Sequence, residues 1–129
     1  YPNGDMVGHT GVYQAAQIAV ETVDLCLSRL ITSVRAAGGI LVVSADHGNA
    51  DDMYEHKKDG SVVIEDGVKK VKTAHSLNPV PCIIYDPESQ GEYKPQLRSG
   101  LGISAIAATC MNLLGYEAPA DYDPGVLEH

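Results

Sequence analysis

A long amphipathic helix joined directly to an aliphatic strand constrains the fold of this chain more than any other feature. Over residues 12–37 the apolar side chains recur every three or four positions, which places them on one face of a helix. Gly38 and Gly39 provide the flexible stop expected after a helix C-terminus. The aliphatic run at residues 40–43 follows at once, and such runs are typical of central parallel strands that helices cover on both sides. The order of helix, short loop and strand predicts half of a crossover unit and an α/β fold.

A β-hairpin is predicted inside the polar segment that follows this strand. Two short β-branched stretches, at residues 61–64 and 68–71, flank the dipeptide Asp66-Gly67. Asp-Gly between two strand-like stretches is a strong hairpin signal, because both residues tolerate the positive φ of a tight turn. We therefore expect a surface hairpin inserted between core elements.

Two further elements complete the predicted fold. Residues 81–85 form a second aliphatic strand, and residues 101–114 return to helical spacing before Gly115. Two core strands and one hairpin make a small sheet for two covering helices, whereas parallel strands occur almost only in larger buried sheets. The sequence thus predicts a fragment of a parallel, helix-covered sheet, with an exposed apolar face or an open sheet edge.

The two ends of the chain suggest an excised piece of a longer protein. The chain begins with Tyr1 rather than Met, and residues 127–129 read Leu-Glu-His, which resembles the start of a histidine tag. We interpret residues 1–126 as part of one domain and residues 127–129 as a tag remnant. The full length of 129 residues is enough for a single domain.

Composition excludes several classes of function. Seventeen acidic against nine basic residues give a net charge of -8, which disfavours a general nucleic-acid binder. No apolar run approaches the ~20 residues that a membrane span needs. The three cysteines, Cys26, Cys82 and Cys110, are far apart and form no C-x-x-C motif. Reduced thiols in a cytoplasmic protein are the simplest interpretation.

Three short motifs concentrate the residue types that bind metal ions. They are DMVGHTG at residues 5–11, SADHGN at residues 44–49 and TAHS at residues 73–76. If the first motif forms a helical turn, its carboxylate and imidazole share one face, and the second motif follows a strand end, where α/β sheets bind ligands. Two carboxylates and three imidazoles suit Mn²⁺ or Zn²⁺ better than Ca²⁺. The candidate ligands are Asp5, His9, Asp46, His47 and His75.

Each motif alone also has an ordinary interpretation. An aspartate at the start of a helix and a histidine one turn later are common without any metal ion, and Asp5 and His9 fit that description. A loop histidine such as His75 is usually solvated. The interpretation as a metal site depends on the three motifs being taken together.

Taken together, the motifs resemble the cofactor-independent phosphoglycerate mutase family. DMVGHTG at 5–11, ADHGNA at 45–50 and TAHSLNPVP at 73–81 occur in the order of that family, and residues 106–109 and 113–115 resemble its closing helix. The resemblance covers residues 1–126, whereas Asp-His-Gly alone would indicate only the broader alkaline phosphatase superfamily. It implies a C-terminal fragment of an alkaline-phosphatase-like metal domain.

The resemblance also implies a reaction and a division of the ligands. The family interconverts 3-phosphoglycerate and 2-phosphoglycerate in glycolysis and gluconeogenesis through a phosphoserine, and it needs two divalent ions, usually Mn²⁺. By the motif match, Asp5, His9 and His75 would hold one ion. Asp46 and His47 would contribute to the other.

The departures from the family pattern limit what the fragment is expected to do. The nucleophilic serine, a further metal aspartate and the substrate-binding arginines of the family lie upstream of this piece, and neither Ser44 nor Ser76 matches the nucleophile. We therefore expect no catalytic residue here, no activity of the fragment alone, and a need for the missing N-terminal part of the same chain. The alternatives are another phosphotransferase or hydrolase of the alkaline phosphatase superfamily, and a stand-alone, non-catalytic metal-binding module.

Overall fold

The computed structural model describes residues 1–128, which contain three helices and four short strands. The chain divides into two compact units. The first comprises Tyr1–Ser33 and Ala45–Pro81, and the second comprises Val34–Ser44 and Cys82–His129. In chain order the elements are α1 (Asn3–Gly8), α2 (Tyr13–Ala36), β1 (Leu41–Ser44), β2 (Ile64–Glu65), β3 (Val68–Lys69), β4 (Cys82–Tyr85) and α3 (Ala105–Leu113).

The long helix predicted over residues 12–37 is confirmed as α2, which has 24 residues. It is followed by Gly38 in the left-handed conformation, with φ +63°, as expected at a helix C-terminus. Within residues 1–128, no helix is both long and apolar enough to cross a membrane.

Helix α2 carries much exposed apolar surface, although its exposed apolar residues are spread around the helix rather than on the one face predicted. Along α2 only Ala16 and Ala19 are buried. Several larger apolar side chains of this helix are at least one-third exposed: Ile18, Val20, Leu25, Leu30 and Ile31. Apolar side chains exposed in this number on one helix are unusual for a surface that contacts only water.

The two aliphatic strands pair with each other, but in the opposite sense to the prediction. β1 and β4 form a two-stranded antiparallel sheet, with Leu41 opposite Tyr85 and Ser44 opposite Cys82. The prediction of a parallel sheet is therefore wrong for this pair. A continuous aliphatic run indicates burial but carries no information about direction, and antiparallel strands also occur at the edges of mixed sheets. The strands are also less buried than expected, since their residues are half-buried or exposed.

The inserted hairpin is confirmed, with shorter strands than the sequence pattern covers. β2 and β3 pair in an antiparallel manner, with Ile64 opposite Lys69. The turn between them has φ +50° at Asp66 and +79° at Gly67, so both residues take the left-handed conformation that a two-residue hairpin turn needs. Isolated bridges extend the pairing at the base of the hairpin.

The core of the second unit forms where α3 meets the last described residues. α3 begins at Ala105 rather than Leu101, because Gly102 disfavours helix and closes a turn with Ala105 instead. Thr109 is fully buried, and its hydroxyl accepts the backbone N–H of Val126. Leu127 is buried as well. The assignment of residues 127–129 to a tag stays a prediction, and residue 129 lies outside the described residues.

Candidate metal centre

Helix α1 places two of the candidate ligands side by side in the first unit. The predicted helical turn is confirmed, and the backbone N–H of His9 donates to the carbonyl of Asp5. Residues four apart on a helix share one face. Accordingly, His9 Nε2 lies 3.1 Å from Asp5 Oδ1.

His75 reaches the same point from a loop 66 residues further along the chain than His9. Its Nε2 lies 3.1 Å from Asp5 Oδ1 and 3.2 Å from His9 Nε2. The structure thus brings together the three residues that the sequence assigned to one ion. Their side chains are between one-third and one-half exposed, which leaves the site open to solvent.

The other two predicted ligands lie beside this group. The ring of His47 stacks on that of His75, with centroids 3.6 Å apart and an interplanar angle of 19°. Its Nε2 lies 3.8 Å from Asp5 Oδ1 and 3.7 Å from Asp46 Oδ2. Asp46 is 87% exposed and occupies the outer side of the cluster. Ligand atoms of Asp5, His47 and His75 lie within 4.8 Å of one another. The distances alone therefore allow more than one way of dividing the five ligands between two ions.

The hydrogen bond of His9 to Thr73 leaves the other ring nitrogen, Nε2, facing Asp5. Nδ1 of His9 lies 2.5 Å from the carbonyl oxygen of Thr73. A carbonyl only accepts hydrogen bonds, so Nδ1 carries a proton, and in the neutral form of the ring Nε2 would hold the lone pair that a metal ion needs. This nitrogen lies beside a carboxylate oxygen of Asp5, which is also a metal-binding atom.

The separations between these atoms fit a shared metal ion. Ligand atoms bound to one Zn²⁺ or similar cation at ~2.0–2.2 Å lie about 3–3.5 Å apart. The three distances among Asp5 Oδ1, His9 Nε2 and His75 Nε2 are 3.1, 3.1 and 3.2 Å. The bond from His9 to Thr73 is the outer-shell contact that metal-binding histidines usually make. The residues present therefore fit a divalent cation.

Asn49 holds the carboxylate of Asp5 by a hydrogen bond, and the sequence analysis did not name it as a site residue. It is 7% exposed, and its Nδ2 donates to Asp5 Oδ1 over 3.3 Å and lies 3.5 Å from His9 Nε2. Gly8 is packed against it, because a Cβ at Gly8 would lie 1.8 Å from Asn49 Oδ1. Both residues belong to the recognised motifs. Their place in these motifs was the only sequence signal for a role at the site. The contact between them joins residues that are 41 positions apart in sequence, so the sequence alone does not reveal it.

A second unassigned residue, Asp51, links the two histidine loops. Its Oδ2 accepts hydrogen bonds from Ser76 Oγ at 2.8 Å and from Asn78 Nδ2 at 2.7 Å. Burial raises the pKa of Asp51, but the hydrogen bonds from Asn78, Ser76 and nearby backbone amides outweigh it and leave the pKa below the ordinary value. Asp51 is thus held as a carboxylate.

A separate charged cluster lies at the base of the hairpin. Asp52 accepts from Lys72 Nζ at 2.5 Å and from His56 Nε2 at 3.0 Å, and these contacts, the one with Lys72 foremost, lower the pKa of Asp52. The pKa of His56 is raised, first by its bond to the carbonyl of Gly60 and then by Asp52. His56 has both ring nitrogens occupied in this way.

Comparison with known proteins identifies the chain over most of its length. The model of the metalloenzyme superfamily matches residues 1–118. The 2,3-bisphosphoglycerate-independent phosphoglycerate mutase 1 of Arabidopsis thaliana is 42% identical over 130 residues, which cover 98% of this chain and 23% of the relative. The corresponding mutase of Trypanosoma brucei brucei is 42% identical over 136 residues, which cover 99% and 24%.

A solved structure agrees with these relatives. The phosphoglycerate mutase of Leishmania mexicana, determined at low cobalt concentration, has a TM-score of 0.88 and 41% identity over 98% of this chain and 24% of its own. The chain spans about a quarter of the length of the relatives it matches. The expected resemblance to the C-terminal region of cofactor-independent phosphoglycerate mutases is confirmed, as is the α/β class. This chain belongs to the metalloenzyme superfamily.

Proposed function

We propose that this chain is the metal-binding part of a cofactor-independent phosphoglycerate mutase. The observation that carries the proposal is the meeting of Asp5 Oδ1, His9 Nε2 and His75 Nε2 within 3.2 Å of one another. One carboxylate oxygen and two imidazole nitrogens at this spacing are a suitable ligand set for one divalent cation. The similarity to mutases of plants and trypanosomes supplies the class of enzyme.

The five ligands divide between two divalent ions, for which Mn²⁺ is our choice. Asp5, His9 and His75 form a complete set for one ion, and Asp46 with His47 contributes half of the set for the other. Mixed oxygen and nitrogen ligands suit Mn²⁺ and related ions. The cobalt named for the Leishmania structure is compatible with a site for divalent transition metals.

The substrates of the whole enzyme are 3-phosphoglycerate and 2-phosphoglycerate, in glycolysis and gluconeogenesis in the cytoplasm. When bound, the two cations would offset the charge of the transferred phosphoryl group and favour ionisation of a hydroxyl beside them. Asp5 and the three histidines fix where that positive charge lies. Thr73 fixes the tautomer of His9, so its Nε2 is ready to bind.

The nucleophile of the reaction is not expected within this chain. Ser76 directs its hydroxyl proton to Asp51 and is 5% exposed, so it is poorly placed to attack a phosphoryl group. The isolated chain should therefore convert no 3-phosphoglycerate in an assay coupled to enolase. Measurable turnover by the pure chain would contradict this part of the proposal.

Calorimetric titration with Mn²⁺ tests the metal site directly. The wild-type chain should bind about one ion, because only one site has its full set of protein ligands. His75→Ala should abolish the binding. His56→Ala is the matched control, since His56 is similarly exposed, belongs to the same unit and lies outside the cluster. Absence of binding to the wild type, or equal binding by His75→Ala, would refute the proposal.

A further inference from the structure

We propose that Asp51 is a positioning residue of the metal centre, which holds the loop of His47 against the loop of His75. The inference rests on the proposed function, because it concerns how that same site is assembled. Asp51 is not itself a member of the group of candidate ligands found among residues 1–128. Its effect on a metal ion would pass through the two loops that carry ligands.

One carboxylate oxygen of Asp51 accepts two hydrogen bonds from the His75 loop. Ser76 directly follows His75, and its hydroxyl donates to Asp51 Oδ2 over 2.8 Å. Asn78, two residues further on, donates to the same oxygen over 2.7 Å. A hydrogen bond to a charged acceptor is stronger than one between neutral groups. Two such bonds at one oxygen fix the backbone on the C-terminal side of His75.

The same carboxylate packs on the loop of His47. A Cβ at Gly48 would lie 2.2 Å from Ser76 Oγ and 2.6 Å from Asp51 Oδ1, so only glycine allows the two loops to approach this closely. The backbone N–H of Ser76 also donates to the carbonyl of Gly48 over 2.9 Å. Gly48 therefore sits between Asp51 and Ser76, one residue after His47.

The consequence for the ligands is a fixed spacing of two imidazoles. His47 and His75 each immediately precede a residue of this contact, and their rings stack with centroids 3.6 Å apart. If Asp51 lost its bonds to Ser76 and Asn78, the backbone on the C-terminal side of His75 would keep its bond to Gly48 but lose both side-chain bonds to the His47 loop. His75 would then be less well ordered before metal binding, and the metal affinity would fall.

Titration of the 129-residue chain with Co²⁺ alone tests the role of Asp51, because Co²⁺ reports both affinity and ligand geometry through its visible spectrum. Asp51→Ala should weaken binding 10–100-fold, the usual effect of losing an outer-shell partner, and should change the spectrum. Asp51→Asn keeps an acceptor oxygen for both donors without the charge. It should stay within about threefold of wild type and retain the wild-type spectrum.

A matched control separates positioning from simple loss of negative charge. Asp59 is an exposed aspartate that likewise accepts bonds from a serine, Ser61, but it lies in the turn at residues 57–60, before the hairpin strands. Asp59→Ala should leave Co²⁺ binding unchanged. Should Asp51→Ala fail to fold by circular dichroism, Ser76→Ala removes one of the two bonds and should weaken binding about 3–10-fold.

The possible outcomes are distinct. Equal losses in Asp51→Asn and Asp51→Ala would assign the effect to charge and overturn the positioning role. Unchanged Co²⁺ binding in both Asp51→Ala and Ser76→Ala would also overturn the positioning role of Asp51, but it would leave the proposed metal site intact. If wild-type chain binds no Co²⁺ and no Mn²⁺, the proposed function fails, and the inference about Asp51 fails with it.

Discussion

Replacing Gly8 with alanine is expected to destabilise the first unit, although alanine normally favours a helix. Gly8 is the last residue of α1 and is buried. The new methyl group would lie 1.8 Å from Asn49 Oδ1 and 2.8 Å from Asn49 Cγ, so the amide has to move. Asn49 cannot move freely, because it is 7% exposed and donates to Asp5.

The size of the effect follows from opposing contributions. Overpacking in a buried position costs about 1–3 kcal/mol, and the displaced bond from Asn49 to Asp5 adds about 1 kcal/mol. The gain in helix propensity offsets about 0.5–1 kcal/mol of this. We expect a net loss of about 2 kcal/mol, which lowers the unfolding midpoint of a chain of this size by roughly 5–10 °C.

Thermal unfolding followed by circular dichroism measures this difference. Gly4→Ala is the matched control, because Gly4 lies in the same helix and a Cβ there meets no atom within 4 Å. The control should be equal to wild type or more stable by up to about 1 kcal/mol. If Gly8→Ala unfolds at or above the wild-type temperature, the argument from close packing against Asn49 is wrong.

Two further predictions concern pH and a buried hydroxyl. Because the pKa of His56 is raised, its bonds to the carbonyl of Gly60 and to Asp52 stabilise the fold below pH 6.5, and this contribution is lost as the pH rises through the raised pKa. The unfolding midpoint of wild type should therefore fall relative to that of His56→Gln between about pH 6 and pH 9, and parallel curves would contradict this. Thr109→Val leaves the buried N–H of Val126 without its acceptor and should cost about 1–3 kcal/mol in urea unfolding. Thr32→Val, at an exposed threonine of α2, should stay within about 0.5 kcal/mol, and similar losses in both variants would argue against the buried bond.

Periodicity and turn chemistry were sufficient to predict the local elements. The three- and four-residue spacing over residues 12–37 predicted α2 nearly to its ends. The Asp66-Gly67 turn predicted the hairpin, because its signal lies in the two residues that take positive φ. The direction of β4 against β1 was missed, since an aliphatic run has the same composition in either orientation.

For the candidate site, too, the sequence predicted what depends on local motifs and missed what depends on contacts between distant residues. The motifs were sufficient to name Asp5, His9 and His75, and the structure brings these side chains together. Asn49 and Asp51 belong to the same sequence stretch but received no role. Their partners are 44 and 25 residues away, at Asp5 and Ser76, so their contacts exist only after tertiary packing.

The distance in sequence between Asp5 and His75 determines when, during folding, the proposed metal site can form. These two residues are 70 positions apart, whereas Asp5 and His9 are four apart. Closing a loop of that length in an unfolded chain costs about 4 kcal/mol of entropy. A nascent or denatured chain can therefore offer a cation only local pairs of ligands, such as Asp5 with His9, while the complete ligand set forms after the intervening segment has folded. The rate of tight metal uptake during refolding should thus follow long-range assembly, a slow event, rather than formation of helix α1, a fast one.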